Sequence, residues 1–221
     1  MHRDDAVTFW ANPDTLCHNG TDIVSAMNTY QKAHVAWFLS KEDPRWELSN
    51  MAGGMPVYFP TERIRANRWN SSEQLYQASK YGTNVMCVPA TNPGVDPCVR
   101  NRIRSQVSIR GAKMTQKSAV KAGLVRTDWD SPEEIRLKSM LWVLELKLFW
   151  NPWTFGRVLQ NTGDKPIVEI SRKDDFWGCK EVEPGVLLGR NNLGLILMDI
   201  RSRMEAIKVK NFTYPEGFLL P

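Results

Sequence analysis

The stretch from Glu169 to Arg201 carries the densest group of side chains that could do chemistry. It contains Asp-Asp-Phe-Trp-Gly at 174–178, and two amides follow at Asn191 and Asn192. These residues lie in a polar loop between an apolar run and an apolar helical pattern, and loops held by rigid elements often carry binding and catalytic residues. A simple connection would not need two acids, a tryptophan and two asparagines. The stretch is therefore the first candidate for a functional site.

The histidines limit the chemistry open to these residues. His2, His18 and His34 all precede residue 35, so proton transfer at the polar motifs would depend on carboxylates, lysine or water. The sequence has no GxxxxGK loop, no GxGxxG after a predicted strand, no GxSxG and no HExxH. Phosphoryl transfer on a P-loop, hydride transfer on a Rossmann domain and zinc hydrolysis therefore lose their usual sequence support. We expect no metal and no cofactor.

Length and composition predict one compact globular domain, since the 221 residues are 42% hydrophobic and 24% charged. We expect no membrane span and no signal peptide, because no apolar run is long enough and no such pattern opens the chain. The four cysteines, Cys17, Cys87, Cys98 and Cys179, lie far apart, which predicts neither a zinc site nor a disulfide framework. Together these features favour a cytoplasmic protein.

Positive charge is concentrated in the segment 97–127, which holds eight Lys and Arg and no acidic residue, although the net charge of the whole chain is +5. Such a block attracts phosphates and nucleic acid, but it is equally typical of a solvated helical face. Nine Trp and eight Phe add surfaces on which a nucleobase could stack, although most of them should lie in the core.

Capping residues and hydrophobic periodicity predict the elements that must position these groups, in an α/β (α+β) domain that is mostly helical. Asn-Ser-Ser-Glu at 70–73 opens a helix that ends before Gly82. Ser-Pro-Glu-Glu at 131–134 opens a long helix that ends at Asn151-Pro152. Further helices are predicted at about 23–33, from Pro97, from Ala112, over 152–163 and over 192–208.

Short strands complete the predicted fold. Apolar runs predict strands at 35–39 and 166–170, and a hairpin joins 56–59 to 63–66. We expect 56–59 and 166–170 to lie in one small sheet, with the helices packed around it.

The long helix places one lysine in an unusual position. Its apolar stripe consists of Leu137, Met140, Leu141, Leu144 and Leu148. Lys147 lies at the edge of this stripe, where a lysine usually extends its amine to water. A desolvated lysine can instead lose up to about 3–5 pKa units and become a nucleophile. Lys147 is therefore also a candidate for covalent chemistry.

Four motifs occur in order along most of the chain. They are Leu-Ser-Asn at 48–50, Ser-Glu-Gln-Leu-Tyr-Gln-Ala-Ser-Lys at 72–80, Val-Arg-Thr-Asp-Trp-Asp at 125–130 with the helix segment 144–149 behind it, and the stretch 169–201. This set resembles the NADAR family, which includes a bacterial N-glycosidase of riboflavin intermediates and ADP-ribosyl-guanine hydrolases. The residues at 48–52, 162–169 and 172–178 are most similar to the NADARs that accompany DNA ADP-ribosyltransferase toxins.

The resemblance implies a division of the chain and a type of reaction. The divisions are an N-terminal extension (1–34), a NADAR-like catalytic domain (35–205) and a C-terminal tail (206–221). The implied substrate is an N-glycoside in which C1 of a phosphorylated ribose is bonded to an exocyclic amine. Cleaving that bond needs an acid, support for the cation that develops at C1, and water or another nucleophile.

The resemblance also assigns roles that the residues alone leave open. By itself, Glu73 is typical of a capping box and Asp175 of a turn residue. Both fall on carboxylates of the family, which implies acid/base catalysis by Glu73 and orientation or stabilisation of C1 by Asp175. Ring opening of such a glycoside leaves an imine, which the amine of Lys147, or secondly of Lys80, could attack to form a Schiff base.

The predicted substrate-binding residues are Ser49, Asn50, Tyr76, Arg126, Trp129, Glu169, Trp177, Gly178 and Asn191. We expect the carboxylates, Lys147 and the two tryptophans to converge on one cleft. The guanidinium of Arg126 suits a phosphate, and Asn191 lies near the start of the last predicted helix, where an anion could bind.

Three functions compete at this point. The first is a hydrolase that removes ADP-ribose from guanine in DNA or RNA, with ADP-ribose as product and a DNA ADP-ribosyltransferase toxin as functional counterpart. The second is an N-glycosidase of phosphoribosylamino-pyrimidines in riboflavin synthesis. The third is a non-catalytic module that binds ADP-ribose or NAD. The basic segment 97–127 favours the first over the second, and the presence of both acids and an amine argues against the third.

Overall fold

The computed structural model describes residues 26–58, 68–81, 98–127, 129 and 134–212. Its helices are α1 (Ser72–Ala78), α2 (Val99–Arg104), α3 (Ile109–Lys121), α4 (Glu134–Trp150), α5 (Arg157–Gln160), α6 (Asn192–Ser202) and α7 (Met204–Lys208). Its strands are β1 (Asn28–Gln31), β2 (Ala36–Phe38), β3 (Val57–Tyr58), β4 (Arg68–Trp69), β5 (Ile167–Glu169), β6 (Lys180–Glu183) and β7 (Val186–Gly189). Single 3-10 turns lie at Lys32–His34 and Trp46–Leu48, and a π-helical turn at Pro152–Gly156 leads into α5.

Among the described residues, the strands form three small sheets instead of one. β1, β7 and β6 are antiparallel neighbours in that order, β2 runs parallel to β5, and β3 is antiparallel to β4. The prediction that 56–59 and 166–170 share a sheet is therefore wrong. The two strands pack on different helices, β3 on α4 and β5 on α6, and each pairs with a partner on its own side.

The helix predicted at 23–33 is also wrong where the structure describes it. Residues 28–31 form β1, and burial alternates along the strand, as expected for an element with a side-chain period of two. Tyr30 packs against the apolar cluster around Val168 and Leu187, while the backbone of β1 pairs with β7. Part of the stretch predicted as an N-terminal extension is thus a strand of the sheet. Residues 1–25 lie outside the described part of the chain.

The other helix predictions agree with the structure in kind and differ at the ends. Ser108, not Ala112, begins the second basic helix, because its hydroxyl accepts a hydrogen bond from the Gly111 amide. The last predicted helix is two helices, α6 and α7, separated at Arg203. The predicted strand at 63–66, Gly82 and the capping sequence 131–133 lie outside the described residues.

Helix α4 forms the centre of the core. Leu137, Val143, Leu144, Leu146 and Leu148 are all buried, so apolar side chains surround α4 instead of forming a single stripe. Helices α1, α6 and α7 and strand β3 pack on it from different sides. From residue 142 to residue 148 the helix is buried on every side. A helix segment buried all round is expected to be apolar all round, which makes any charged residue in this segment a feature that needs an explanation.

Two buried carboxylates near the C-terminal end of the described chain have cationic partners. Glu145 on α4 accepts hydrogen bonds from Arg203 and Lys210, and Asp199 on α6 accepts from Arg203. Both acids are almost fully buried, and a buried charge is tolerated only when it is paired. The network therefore fixes α6 and the segment after α7 against α4.

Gly194 controls the contact between α6 and β5, and this predicts a local effect on stability. A Cβ atom at this position would collide with the Ile167 carbonyl oxygen and the Asn191 amide. We expect Gly194→Ala to lower the free energy of unfolding by about 1–3 kcal/mol, since a rigid backbone atom must move.

The control for that measurement is Gly53→Ala, whose Cβ would have its nearest neighbour, Ile109 Cδ1, at an ordinary 3.7 Å. Urea unfolding of the two variants measures the difference, and Gly53→Ala should stay within about 1 kcal/mol of the wild type. Equal stability of the two variants would contradict the packing argument.

Candidate active site

A cavity of about 470 Å³ opens between α1, α3, the start of α4 and the loop that precedes β6. Its wall contains three acids, Glu73, Glu169 and Asp174, and four cationic residues, Lys80, Lys113, Lys117 and Arg136. Aromatic and amide side chains complete the wall, among them Tyr76, Trp129, Trp177, Asn50, Gln77 and Gln116. The volume lies within the usual range for small-molecule sites.

Glu73 is the most extensively bonded acid of this cavity. Its Oε2 accepts a hydrogen bond from Asn50 Nδ2 at 2.6 Å, and its Oε1 accepts from Gln77 Nε2 at 2.7 Å. Lys113 Nζ lies 3.0 Å from Oε1 and forms an ion pair with it. The side chain is only 4% exposed. Three donors from three different segments therefore fix the carboxylate in one position.

The capping role that local sequence suggested for Glu73 is performed by its neighbours. The Ser71 hydroxyl accepts from the Gln74 amide, and Gln74 Oε1 accepts from the Asn70 amide. These bonds satisfy donors at the start of α1 in the manner of a capping box, one residue away from the predicted position. Glu73 is thus left to face the cavity.

Glu169 lies at the end of β5, and its carboxyl group has a raised pKa. Burial, together with the nearby charges of Asp174 and Glu73, raises the pKa of its carboxyl to about 8, although Lys113 opposes the rise. Glu169 therefore carries a proton at neutral pH. A cleft with one neutral and one bonded carboxyl group has the two forms that acid/base chemistry requires.

The backbone around Glu169 is fixed by residues with little freedom. A Cβ atom on Gly178 would lie 2.5 Å from the Glu169 carbonyl oxygen, so only glycine permits this approach. Asn191, in the left-handed region at φ 54, donates its amide to the Ile167 carbonyl and accepts from the Glu169 amide. Both residues position Glu169 through the backbone of β5.

Asn191 is fully buried and does not reach the cavity. The expectation of an anion at this helix start is wrong, because the first amides of α6 already have acceptors. The Asn192 amide donates to the Phe176 carbonyl, and the Leu193 amide donates to the Trp177 carbonyl. The start of α6 therefore holds the loop 174–178 in place.

Within that loop, the acid at the cavity is Asp174 and not Asp175. Asp174 Oδ1 accepts from the amides of Phe176 and Trp177, which shapes the turn, and the residue lines the cavity. The Asp175 side chain is 51% exposed, lies outside the cavity wall and pairs with Lys180 at 2.5 Å. The expectation that Asp175 converges on the cleft with Glu73 is therefore wrong.

Three aromatic rings form one wall of the cavity. The centroid of the Tyr76 ring lies 5.5 Å from that of Trp129 and 5.7 Å from that of Trp177. Lys80 Nζ lies 5.6 Å from the Tyr76 centroid and 5.8 Å from the Trp129 centroid, in cation–π distance of both. Trp129 and Trp177 therefore converge on one cleft with Glu73 as predicted, and Tyr76 and Lys80, which were also predicted site residues, line the same cavity.

Lys147 is buried in the core instead of the cavity. Its side chain is 0% exposed, and Nζ donates to the carbonyls of Glu47 at 2.7 Å and Ser49 at 2.9 Å. Burial lowers the pKa of its ammonium group to about 7. The expected desolvation of Lys147 is correct, but its expected position in the cleft is wrong. It fixes the turn that presents Asn50 to Glu73.

Ser49 and Arg126 also lie outside the cavity wall. Ser49 is buried, and its hydroxyl accepts from the Met51 amide, which tightens the same turn. The Arg126 amide donates to the Lys80 carbonyl, and its own carbonyl accepts from the Trp129 amide. Arg126 thus helps to seat Trp129. Its predicted phosphate contact remains a prediction.

Sequence reasoning missed the cavity-facing side chains of α3. Lys113, Gln116, Lys117 and Val120 all line the cavity. Their spacing of three and four residues places them on one helical face, a signal that was available in the sequence. Gln77 was also missed, although it lies four residues after Glu73 and hence on the same face of α1. Arg136 lies in the first turn of α4, and no local pattern singled it out.

The comparisons with known proteins agree on one family. The family model described as NADAR domain matches residues 37–205. An N-glycosidase of Nostoc punctiforme is 27% identical over 144 residues, which cover 64% of this chain and 78% of that protein. The N-glycosidase YbiA of Shigella flexneri is 25% identical over 171 residues, which cover 77% of this chain and 89% of YbiA. The sequence resemblance to the NADAR family is thereby confirmed.

A further relative and one solved structure extend the comparison. A riboflavin biosynthesis protein of Vibrio vulnificus is 26% identical over 162 residues, which cover 72% of this chain and 38% of that protein. The NMR structure of the E. coli protein YbiA matches with a TM-score of 0.56 at 21% identity, covering 82% of this chain and 92% of that chain. This match confirms the predicted fold class. Among the described residues, no helix has the length and apolar character to cross a bilayer.

The lowered pKa of Lys147 predicts how stability depends on pH. Between about pH 7 and pH 10.5 the folded chain has released this proton and the unfolded chain still binds it, so unfolding takes up a proton and stability rises with pH. Relative to Lys147→Met, the wild type should gain on the order of 2 kcal/mol in its free energy of unfolding between pH 7 and pH 9. Below about pH 7 the difference should be constant.

Urea unfolding at several pH values tests this dependence. The control is Lys138→Met, which removes an exposed lysine from the same helix. A difference between wild type and Lys147→Met that is independent of pH would mean that Lys147 keeps its proton in the folded chain.

Proposed function

Because the chain belongs to the NADAR family, we propose that it is an N-glycosidase that hydrolyses the bond between ADP-ribose and guanine in ADP-ribosylated nucleic acid. The observation that carries the proposal is the unequal pair of carboxyl groups in one cavity. Glu169 is protonated at neutral pH, since its pKa is raised to about 8, and Glu73 is held by Asn50, Gln77 and Lys113. Enzymes that cleave glycosidic bonds usually use two carboxyl groups, one of which is protonated and acts as the acid.

The two carboxyl groups divide the work. Glu169 donates a proton to the leaving amine of guanine or to the ring oxygen, which weakens the bond to C1. Glu73 stabilises the positive charge that develops at C1 and accepts a proton from the attacking water. Asp174 raises the pKa of Glu169 and so helps to keep this carboxyl group protonated. In this mechanism Asp174 acts only through Glu169, and Asp175, which the sequence had suggested, takes no part.

The charge of the cavity wall suits a phosphorylated sugar. Four cationic residues face three acids, of which Glu169 is neutral at pH 7. The wall is therefore positive overall, as expected for a site that binds a diphosphate. The rings of Tyr76, Trp129 and Trp177 offer faces on which a base can stack.

The basic helices support nucleic acid over a free metabolite. One face of α3 supplies Lys113 and Lys117 to the cavity, and Arg102, Arg104, Arg110 and Lys121 continue the positive charge along α2 and α3. A small metabolite needs only a phosphate pocket, whereas a polynucleotide needs charge along its backbone. A toxin that adds ADP-ribose to guanine would be the functional counterpart of this activity.

A second candidate is cleavage of phosphoribosylamino-pyrimidines. The observation in its favour is the similarity to a riboflavin biosynthesis protein and to YbiA-type N-glycosidases. Both candidates use the same carboxyl groups and differ in the leaving group. A module that only bound ADP-ribose would not need a protonated carboxyl group in the same cavity as a carboxyl group held by three donors, which argues against the third possibility.

Lys80 is the lysine best placed for a covalent route. After ring opening, C1 of the ribose and the guanine nitrogen form an imine. Addition of the Lys80 amine to C1 and departure of the guanine amine, which takes up a proton, leave a Schiff base between Lys80 and the sugar. Water then hydrolyses this bond and releases ADP-ribose. Lys80 lines the cavity and Lys147 does not, which reverses the order expected from the sequence.

The decisive experiment offers the protein both substrates. Guanine-ADP-ribosylated oligonucleotide and the phosphoribosylamino-pyrimidines are incubated with the wild type and with Glu73→Gln, and mass spectrometry follows the released sugar. We expect ADP-ribose from the oligonucleotide with the wild type only. Release from the pyrimidines alone would establish the second candidate, and release from neither would refute an N-glycosidase.

The raised pKa of Glu169 predicts the pH dependence of the reaction. As the pH rises through about 8, Glu169 loses its proton and kcat/KM should fall. Glu169→Gln cannot donate a proton, so its kcat should be roughly 100- to 10,000-fold lower and should lack this decline. The matched control is Glu183→Gln, which changes an exposed glutamate on β6 and should keep the wild-type profile.

Trapping with borohydride tests the covalent route. Reduction during turnover should leave an ADP-ribosyl adduct on the wild type and on Lys147→Met but not on Lys80→Met. Full turnover of the wild type without any adduct would instead indicate direct attack by water between Glu73 and Glu169.

A further inference from the structure

Two buried oxygen atoms beside Glu73 have no hydrogen-bond partner within the described part of the chain. They are Asn50 Oδ1 and Gln77 Oε1. Asn50 is 4% exposed and Gln77 is 5% exposed, and both residues line the cavity. Buried polar atoms without a partner are rare in folded proteins, and here two of them flank one carboxylate.

The chemistry of Glu73 fixes the orientation of both amides. A carboxylate only accepts hydrogen bonds, so the amide of Asn50 must turn its NH2 group to Oε2 and that of Gln77 must turn its NH2 group to Oε1. The distances are 2.6 and 2.7 Å. Rotating either amide by half a turn would place two oxygens against each other. The carbonyl oxygens therefore point away from Glu73, and this assignment follows from the network.

Both amides are held by rigid neighbours. Asn50 follows the turn that Lys147 fixes through the Ser49 carbonyl, and its own carbonyl accepts from the Ser72 hydroxyl at 3.3 Å. Gln77 lies on α1, one helical turn after Glu73. Neither amide can move to satisfy its oxygen without breaking its bond to Glu73. Two acceptors in fixed positions form a site for a ligand that donates hydrogen bonds.

We propose that Asn50 Oδ1 and Gln77 Oε1 bind the vicinal hydroxyl groups of the substrate ribose, with the hydroxyl on C2 as the principal donor. The inference rests on the proposed function, in which Glu73 acts at C1. The donors nearest to C1 on a ribose are the hydroxyls on C2 and C3, so groups that flank Glu73 face them. The alternative donors, the N–H groups of a guanine base, lie on the leaving group.

The inference applies to either candidate substrate, because both carry the same phosphorylated ribose. It also assigns a discriminating role to the site. A sugar without the C2 hydroxyl would leave at least one buried oxygen unsatisfied, and sites built around a hydroxyl reject analogues that lack it. The site should therefore distinguish ribosides from deoxyribosides.

The test compares ribose 5-phosphate with 2-deoxyribose 5-phosphate as probes, using NMR titration of the full chain at millimolar concentrations. The two sugars share the phosphate and differ in the donor at C2. We expect the wild type to bind ribose 5-phosphate about 10-fold more tightly or better. Equal affinities would overturn the inference, as would failure to bind either sugar, and neither outcome depends on a variant.

Gln77→Lys provides the second part of the test. The lysine amine can still donate to Glu73, but it has no acceptor, so the preference for ribose 5-phosphate should fall several-fold. Gln160→Lys is the matched control, since it adds the same charge at an exposed position on α5, outside the cavity wall, and leaves the acceptor pair intact. Its preference should equal that of the wild type. If Gln77→Lys kept the full preference, the acceptor pair would be refuted.

Gln77→Met covers the case in which Gln77→Lys does not fold. It removes the acceptor without adding a charge, so the preference should fall, and a full preference in this variant would refute the acceptor pair. The outcomes also separate this inference from the proposed function. A chain that prefers ribose 5-phosphate but cleaves neither glycoside would refute the N-glycosidase alone. A chain that cleaves a glycoside without this preference would refute the acceptor pair alone.

Discussion

The carboxyl group of Glu73 organises the cavity, because donors from three segments bind its two oxygens. Asn50 lies in the turn that follows the 3-10 turn Trp46–Leu48. Gln77 lies on the same face of α1 as Glu73, and Lys113 lies on α3. A buried carboxylate without such donors would be unstable in the folded chain. The relative positions of the turn, α1 and α3 are thus tied to one charge. Lys147 supports this arrangement from the core by fixing the turn through two carbonyls.

Glu169 depends on that charge. The negative charge of Glu73 contributes to the raised pKa of Glu169, together with burial and Asp174. The two carboxyl groups are therefore coupled, since the bonded carboxylate helps its neighbour to keep a proton. Gly178 and Asn191 set the distance at which this coupling acts, because they seat the backbone of β5 against the loop 174–178. Glu73 therefore contributes both to the geometry of the site and to the protonation of Glu169.

The sequence predicted the elements of this site better than their side-chain directions. Motif order and caps located α1, α4 and the loop before β6, and the NADAR resemblance selected Glu73, Trp129 and Trp177. Sequence could not decide between Asp174 and Asp175, since adjacent residues differ only in the turn that forms around them. Lys147 was placed at the edge of a stripe because the remaining faces of α4 are covered by segments distant in sequence. The hairpin of β6 and β7 was missed, since its polar strand resembles a loop.

The charge network at the end of the described chain sets a minimum length for the fold. The family match ends at residue 205, yet Lys210 neutralises Glu145, and Phe212 is buried against α4 through Phe149. A protein shortened to the matched residues would keep Glu145 in the interior and lose one of its two cations. It would also expose an aromatic surface that Phe212 now covers. Fusion partners or tags should therefore be attached beyond Phe212. The ion pair of Lys210 and the packing of Phe212 define this limit of the fold better than the end of the sequence similarity does.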